Sequence, residues 1–346
     1  MPKPTAASTD ELSLIMQGHF AFQTLYAGYK LGVFTYLAAH PGATRDTLAE
    51  ALYLADRPAT FLVCALRTLG LVTGPDTALH NAPVVNDHFS DSSPDNYGPI
   101  LDFYQHLIYP LAADLTDSLQ RNANTALHRL GGEGSTLYER MAARPDLEKT
   151  FHLGMSAVSR IGAAGLVGSG LFSRHERLLD VGGGDATNSI ALLRAHPHLT
   201  SILLDLPSVL DLARSKIVDS GLDGRIELCP ADMLSDPFPG GADAVLFAHI
   251  MPIFGAEENQ FLLAQAHQVL PSGGSVVIYN AMRNDSEDGP IYAALFSAHF
   301  LAIVSGQGII HRWKDYEAWL SRAGFRDVGR TDSLPFHNGL IWATKT

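Results

Sequence analysis

Short apolar runs alternate with amphipathic stretches through the second half of the chain. The clearest unit is an apolar run ending at Asp180 and Val181, the three glycines 182–184 and an amphipathic stretch over 186–196. Apolar positions in that last stretch recur at helical spacing, so the unit predicts a strand, a tight turn and a helix. Its repetition predicts a doubly wound α/β sheet. Strands are predicted at 177–181, 201–205, 226–229, 244–247 and 273–279, helices at 261–270, 291–305 and 313–323, and a hairpin at 325–328 and 339–344.

The glycine turn is a candidate ligand site. Glycine lets the backbone turn sharply and come close to a ligand, because no Cβ intervenes. The second strand ends at Asp205, about 20 residues further on, where a carboxylate can bind both hydroxyls of a ribose. The third leads into an acidic loop at 230–233 that suits an adenine amine. No lysine or arginine lies among the glycines, and Asp185 beside them repels a phosphate and attracts a cationic ligand.

Four motifs follow one another at the predicted strand ends: Asp-Val-Gly-Gly-Gly at 180–184, Asp-Leu-Pro at 205–207, Ala-Asp-Met at 231–233 and Phe-Ala-His at 247–249. Their order and spacing resemble those of S-adenosylmethionine-dependent methyltransferases. Nearly the whole chain is similar to the dimeric small-molecule O-methyltransferases of plant phenolic and bacterial antibiotic pathways. The resemblance implies a Rossmann-like catalytic domain that binds S-adenosylmethionine. The cofactor contacts it implies are Met155, Asp180, Gly182, Gly184, Asp205, Leu206, Asp232, Met233 and Ala248.

Three segments are expected. An all-helical, winged-helix-like domain is predicted over 1–100. Its helices are expected to begin at Thr44 and at Arg57-Pro58, and short polar and apolar runs follow Gly70. By the resemblance this is a homodimerisation domain. Residues 101–175 are expected to be a helical connector lining the substrate pocket, and 176–346 the catalytic domain. A winged helix also suits a DNA-binding regulator, but this one carries few cations.

Composition limits the choice of partners. The 346 residues are 46% hydrophobic and carry a net charge of −12, so neither a nucleic acid nor an anionic membrane is an expected partner. Cys64 and Cys229 lie in apolar contexts and are predicted to be buried thiols rather than a disulfide. Residues 1–9 lack the apolar core of a signal peptide, and no run has the length of a membrane span. We expect a soluble, cytoplasmic protein.

The chain departs from its relatives where a base is needed. In the O-methyltransferases that it resembles, a histidine after the fourth strand removes the proton of a phenol, because an unionised hydroxyl is a poor nucleophile. The corresponding position here is Pro252, which has no side-chain proton acceptor. The acidic partner is also missing, since 306–310 contains no carboxylate.

Two histidines are candidates to replace the missing base. His249 precedes Pro252 by three residues, and His299 lies on a helix whose matching face lines the pocket in the relatives. Together they could bind a metal, iron or zinc first, that chelates a 2-oxo acid and stabilises its enolate for methylation at C3. This favoured interpretation is similar to the metal-dependent 2-oxo acid C-methyltransferases that supply β-methyl amino acids. A polar pocket without metal, or two structural histidines, would show the same pattern.

Two rival activities use the same fold. One is O-methylation of an acidic phenol or enol, which ionises without help. The other is non-methylating, pericyclase-like chemistry with the cofactor retained. In each case the partner is a small molecule, and the candidate substrate contacts are His19, Tyr104, His106, Met251 and Phe296.

Overall fold

The structure is a computed structural model that describes residues 7–90, 93 and 95–346. It divides into two compact units, one up to Gln105 and one over His106–Thr346. The expected connector at 101–175 is therefore divided between them, most of it belonging to the second unit.

The first unit is mainly helical. Its core contains Val33, Phe34, Leu66 and Leu79, and Thr44 caps a helix by accepting the N–H of Thr47 at 3.1 Å. Two helices followed by a two-stranded sheet give the predicted winged-helix order. The elements are α1 (Thr9–Met16), α2 (Gly18–Lys30), α3 (Val33–Ala39), α4 (Arg45–Ala51), α5 (Asp56–Thr68), β1 (Val72–Thr73), β2 (His80–Asn81), α6 (Pro83–Phe89) and α7 (Gly98–Phe103).

Helices alternate with strands in the second unit, after a π-helical turn at Tyr104–Ile108. The helices are α8 (Tyr109–Leu111), α9 (Leu115–Arg121), α10 (Leu137–Met141), α11 (Pro145–Gly168), α12 (Thr187–Ala195), α13 (Pro207–Ser220), α14 (Ala256–Val269), α15 (Ile291–His299) and α16 (Trp313–Arg322). The strands are β3 (Arg177–Val181), β4 (Thr200–Asp205), β5 (Ile226–Pro230), β6 (Ala244–Ala248), β7 (Ser275–Ala281), β8 (Phe325–Leu334) and β9 (Asn338–Lys345).

These strands form one seven-stranded sheet in the order β5-β4-β3-β6-β7-β9-β8. Strands β3 to β7 are parallel, β9 is antiparallel to β7, and β8 is antiparallel to β9. The pairing of β8 with β9 has two register shifts, between Arg326 and Gly329 and between Thr331 and Leu334. The order reverses beside β3, so the carboxyl ends of β3, β4 and β6 enclose a crevice of the kind that binds ligands in doubly wound folds.

Helices cover both faces of this sheet. In β6, Val245 and Phe247 pack with α14 and α16, whereas Ala244, Leu246 and Ala248 pack with α11, α12 and α13. Parallel strands buried on both faces read as continuous apolar runs, which is why the sequence located them. The predicted Rossmann-like fold with a helical N-terminal domain is confirmed.

Three details differ from the sequence predictions. Cys64 is exposed and Cys229 is half-buried, so the prediction of two buried thiols is wrong; both are free, as expected. Helix α14 begins at Ala256 rather than at 261, and the predicted helix 291–305 turns from α to π geometry after His299. No helix in the described ranges is both long and apolar enough to cross a membrane.

Candidate functional site

The glycine turn between β3 and α12 requires its glycines. Gly182 and Gly184 have φ of +66° and +60°, in the left-handed region that disfavours side chains. A Cβ on Gly182 would lie 2.4 Å from the Cδ1 of Ile250 and 3.0 Å from the Cε of Met233. The turn therefore approaches the ends of β5 and β6 closely, and a side chain at 182 would fill the space between them.

Two carboxylates hold the turn. Asp205, at the end of β4, accepts the N–H of Gly184 at 2.9 Å and that of Leu206 at 2.8 Å. Burial raises its pKa, and these two N–H groups act against that shift. Asp180 lies beneath the turn, fully buried, and accepts the hydroxyl of Ser189 at 2.7 Å. Burial raises the pKa of Asp180 to about 7.

Tyr138 packs against helix α11 and lies near Asp205. Met155 is half-buried on α11, and Phe151, one turn earlier, packs edge-on against Tyr138 with ring centroids 5.7 Å apart. Burial raises the pKa of Tyr138, and the charge of Asp205 adds to the effect, which places the phenol near that carboxylate. Asp232 is exposed at the end of the acidic loop, and it accepts the N–H of Leu234 at 2.9 Å.

Asp185 does not present a free negative charge. Its carboxylate lies 2.5 Å from the Nζ of Lys216, which also contacts the hydroxyls of Ser156 and Thr187. Burial raises the pKa of Asp185, but Lys216 and the hydroxyls outweigh burial and the net shift is downward. The sequence argument that Asp185 attracts a cationic ligand therefore fails, because Lys216 neutralises it.

His249 is held in an uncommon conformation directly after β6. Its φ is +61°, and its N–H donates to the carbonyl of Tyr279 at 2.8 Å. Its ring lies beside the ring of Tyr279, with centroids 5.4 Å apart. Burial lowers the pKa of His249 to about 4, so the imidazole is neutral at pH 7. Its Nε2 is buried and has no hydrogen-bond partner among the described residues, a position that a ligand donor could satisfy.

His299 is the last residue of α15 and is buried. Its ring stacks on Phe296 with centroids 4.9 Å apart and planes inclined by 23°. Burial lowers its pKa to about 3, so this imidazole is neutral as well. Phe296 packs against Ala281 of β7, two residues beyond Tyr279 and hence on the same face of that strand. His249 contacts β7 at Tyr279, whereas Phe296 packs against the cluster that contains Ala281 at the end of that strand.

The arrangement does not support the predicted metal pair. Both imidazoles are in the neutral form that binds metals. However, within the described ranges no group of three His, Cys, Asp or Glu side chains is placed to hold a metal ion, and catalytic zinc sites use three protein ligands. The residues present therefore do not form a metal site of the usual kind.

Pro252 and Gly308 lie against each other. Pro252 is buried in a 3-10 turn at Met251–Ile253, and a Cβ on Gly308 would lie 2.3 Å from its carbonyl oxygen. Ser305 fixes the contact by donating its hydroxyl to the carbonyl of Ile253 at 2.5 Å. The positions that sequence comparison assigns to the lost base and its acid are thus adjacent, and backbone fills the space between them.

The predicted substrate contacts are divided between the two units. Phe296 stacks on His299, as described, and His106 is exposed in the second unit. His19 is exposed in the first unit, where Tyr104 packs near Phe22 with ring centroids 6.4 Å apart. Met251 is fully buried in the core with Val245 and Leu262.

Sequence reasoning missed Tyr138, Lys216 and Tyr279. A tyrosine inside the otherwise apolar run of β7 was a usable signal, because a buried hydroxyl needs a hydrogen-bond partner. Tyr138 and Lys216 gave no such signal, since each lies in a segment of ordinary polar composition.

Comparison with known proteins agrees with the fold and the glycine turn. Residues 113–326 match the family described as the O-methyltransferase domain. The chain is 38% identical to an L-tyrosine C(3)-methyltransferase of Streptomyces lavendulae, over 91% of this chain and 86% of that protein. It is 32% identical to a 3-hydroxy-5-methyl-1-naphthoate 3-O-methyltransferase of Streptomyces sahachiroi, over 96% and 94% of the two chains.

A solved structure agrees over nearly the whole length. The apo crystal structure of the S-adenosylmethionine-dependent methyltransferase SibL has a TM-score of 0.87 and 38% identity, covering 98% of this chain and 99% of that one. The fold and site thus define an S-adenosylmethionine-dependent methyltransferase. The chain belongs to the O-methyltransferase domain family.

Proposed function

We propose that this enzyme methylates carbon rather than oxygen, at the ring position ortho to the hydroxyl of a phenolic amino acid. The relative at 38% identity is named for methylation of L-tyrosine at a carbon. A phenolate shares its negative charge with the ortho ring carbons, so such a carbon can act as the nucleophile. The glycine turn, Asp205 and Met233 fit the cofactor because they form the cradle that a Cβ at 182 would fill.

Carbon methylation involves one more proton transfer than oxygen methylation does. When bound, S-adenosylmethionine supplies an electrophilic methyl group. Two protons must then be accepted, one from the hydroxyl and one from the ring carbon that gains the methyl group, before the hydroxyl takes one back. The overall reaction releases one proton. Two imidazoles can accept these two protons, whereas O-methylation involves the hydroxyl proton alone.

The observation that carries the proposal is the pair of buried neutral imidazoles, His249 and His299, near a base position occupied by Pro252. The Nε2 of His249 can accept a hydrogen bond from the substrate hydroxyl and then its proton. A phenolate next to that ring would raise the pKa of His249 from about 4, because a neighbouring negative charge stabilises the imidazolium. His299, at the end of α15, is assigned the proton of the ring carbon.

A second candidate is the metal-assisted C-methylation of a 2-oxo acid at C3. The neutral state of both imidazoles favours it, since a metal binds the unprotonated ring. The described protein donors fall short of a usual metal site, so water and substrate would supply the other ligands.

One experiment separates these functions. The enzyme is incubated with methyl-labelled S-adenosylmethionine and either L-tyrosine or its 2-oxo acid, with and without a chelator, and the methyl position is determined by NMR. We expect chelator-resistant methylation of a ring carbon of the phenolic amino acid. His249→Gln and His299→Gln should each lower that rate on the order of 10²- to 10⁴-fold. His198→Gln, an exposed histidine at a helix end, is the matched control.

Other products would overturn the proposal. Chelator-sensitive methylation of the 2-oxo acid would establish the second candidate. A methyl group on oxygen would establish the O-methyltransferase activity, and conversion without formation of S-adenosylhomocysteine would establish non-methylating chemistry.

The partner of the N-terminal unit belongs to the same proposal. Helix α1 exposes Leu12, Leu14, Ile15 and Met16, with Ile15 71% exposed. Contiguous apolar surface of this kind marks an interaction site. A homodimer formed through α1 would bury it, in agreement with the dimerisation role that the sequence resemblance implied.

A further inference from the structure

Tyr279 contacts both His249 and helix α11. It is fully buried on β7, and its register partner on the parallel strand β6 is Ala248, the residue before His249. Its backbone carbonyl accepts the N–H of His249 at 2.8 Å, and its ring lies beside the imidazole. The backbone and the side chain of Tyr279 thus both contact His249, whose φ of +61° requires support from its surroundings.

The hydroxyl of Tyr279 contacts a different element. It donates to the carbonyl of Gly162 in α11 at 2.7 Å and accepts the Nδ2–H of Asn338 at 3.2 Å. Burial raises the pKa of Tyr279 to about 12, so the phenol keeps its proton at neutral pH and remains a donor. A Cβ on Gly162 would lie 2.6 Å from this hydroxyl, so glycine at 162 is what admits the contact.

Helix α11 connects this contact to the cofactor site. Met155 precedes Gly162 by seven residues, about two helical turns, so both lie on similar sides of α11. Ser156 of the same helix contacts Lys216, whose Nζ is paired with Asp185 beside the glycine turn. A movement of α11 at its cofactor end therefore reaches the hydroxyl of Tyr279 through one continuous helix.

We propose that Tyr279 is a positioning residue that couples α11, and with it the cofactor site, to the orientation of the His249 ring. The catalytic significance of this coupling rests on the proposed role of His249. The physical coupling itself depends only on the contacts described above. Binding at the cofactor site shifts α11, the hydroxyl of Tyr279 follows the carbonyl of Gly162, and the aromatic ring moves the imidazole. The proton acceptor is in place when the methyl donor is bound.

The test measures the imidazole directly and needs no substrate. Ring ¹⁵N chemical shifts of His249, assigned by their loss in His249→Gln, are recorded at pH 7 with and without saturating S-adenosylhomocysteine. We expect the ligand to shift the His249 signals in the wild type. We expect that shift to be lost in Tyr279→Phe, which keeps the ring and removes the hydroxyl.

Tyr316→Phe is the matched control. Tyr316 is also a fully buried tyrosine, and its hydroxyl accepts from Asn280, the neighbour of Tyr279 on β7, at 3.3 Å. It packs on the opposite face of the sheet, with α14, so its variant should keep the wild-type response. If Tyr279→Phe does not fold, Asn338→Ala, which removes the other hydrogen bond of the hydroxyl, should weaken the response.

Two results would overturn the coupling. One is a His249 response in Tyr279→Phe, or in Asn338→Ala, equal to that of the wild type. The other is the absence of any response in the wild type. Neither depends on which substrate the enzyme methylates, so failure of this inference is distinct from failure of the proposed function.

Discussion

At the scale of single residues, the environment of each carboxylate decides its charge. Asp180 and Asp185 are five positions apart on either side of the glycine turn, yet their pKa values shift in opposite directions. Burial dominates the pKa of Asp180, whose partner is the hydroxyl of Ser189, and no cation of the described residues contributes to its shift. Asp185 has the ammonium of Lys216, so the charged form is retained. The acidic residues of the motif therefore cannot be treated alike.

Asp180→Asn should stabilise the enzyme increasingly as pH rises. The folded pKa of Asp180, about 7, lies above the unfolded value near 3.8, so its contribution is fully present below pH 4 and is lost as pH rises through 7. The shift corresponds to a loss of up to about 4 kcal/mol, which an uncharged asparagine avoids. Urea unfolding of both proteins at pH 5 and pH 8 measures the difference.

Asp185→Asn should have the opposite effect on the free energy of unfolding. The folded pKa of Asp185 is lowered, so the charged pair with Lys216 contributes stability above the unfolded pKa, and the variant should be less stable than the wild type at pH 8. Equal pH dependence in Asp180→Asn and in the wild type would show that Asp180 is ionised throughout.

At the scale of elements, the turn after β6 and the loop after the π-helical segment that continues α15 leave no room for a base and its acid. The 3-10 turn at Met251–Ile253 packs against the loop at 305–308 through the backbone at Gly308 and the hydroxyl of Ser305. Sequence comparison located Pro252 and the loop without a carboxylate, but it could not show that the two had closed on each other. Restoring a histidine at 252 would therefore not restore the acid beside it.

Gly308→Ala should destabilise the second unit. Its Cβ would lie 2.3 Å from the carbonyl oxygen of Pro252 and 2.5 Å from that of Ile253, neither of which can move as a flexible side chain does. Overpacking of this kind costs about 1–3 kcal/mol. Gly224→Ala, where a Cβ would meet nothing within 4 Å, is the control. Equal midpoints of thermal unfolding for the two variants would contradict the tight contact.

Strands were more predictable than irregular turns, for a physical reason. Continuous apolar runs such as 244–247 are what burial on both faces demands, so composition alone located β6. The change to π geometry after His299 and the positive φ of His249 depend on tertiary packing, and no glycine or proline marked either place. His249 and His299 could be chosen from the sequence, while their support by Tyr279 and Phe296 could not.

At the scale of the whole molecule, α1 presents a continuous run of exposed apolar residues. Leu12, Leu14, Ile15 and Met16 of α1 are each more than half exposed, although α1 has a capping box that stabilises it as a helix. The sequence located the helical domain, but the degree of exposure came only from the structure. If the proposed homodimer forms through α1, a charge introduced into this surface should change the quaternary structure.

Ile15→Asp should convert the dimer into a monomer, because a carboxylate in an apolar interface is buried without a partner. Sedimentation velocity at several protein concentrations measures the change. Val218→Asp, at a 58% exposed apolar position on α13, is the control and should leave the wild-type state unchanged. A wild-type protein that sediments as a monomer would contradict the proposal, as would an Ile15→Asp variant that remains a dimer.

Strand β8, at the outer edge of the sheet, affects the tendency of the protein to polymerise at high concentration. Its exposed positions include Arg326, Asp327, Arg330 and Asp332, and two register shifts interrupt its pairing with β9. Charges and irregular backbone at an edge prevent another chain from adding a strand there. Open-ended polymerisation through the sheet is thereby discouraged at this border, so growth into fibrils is opposed where the sheet would otherwise offer a template.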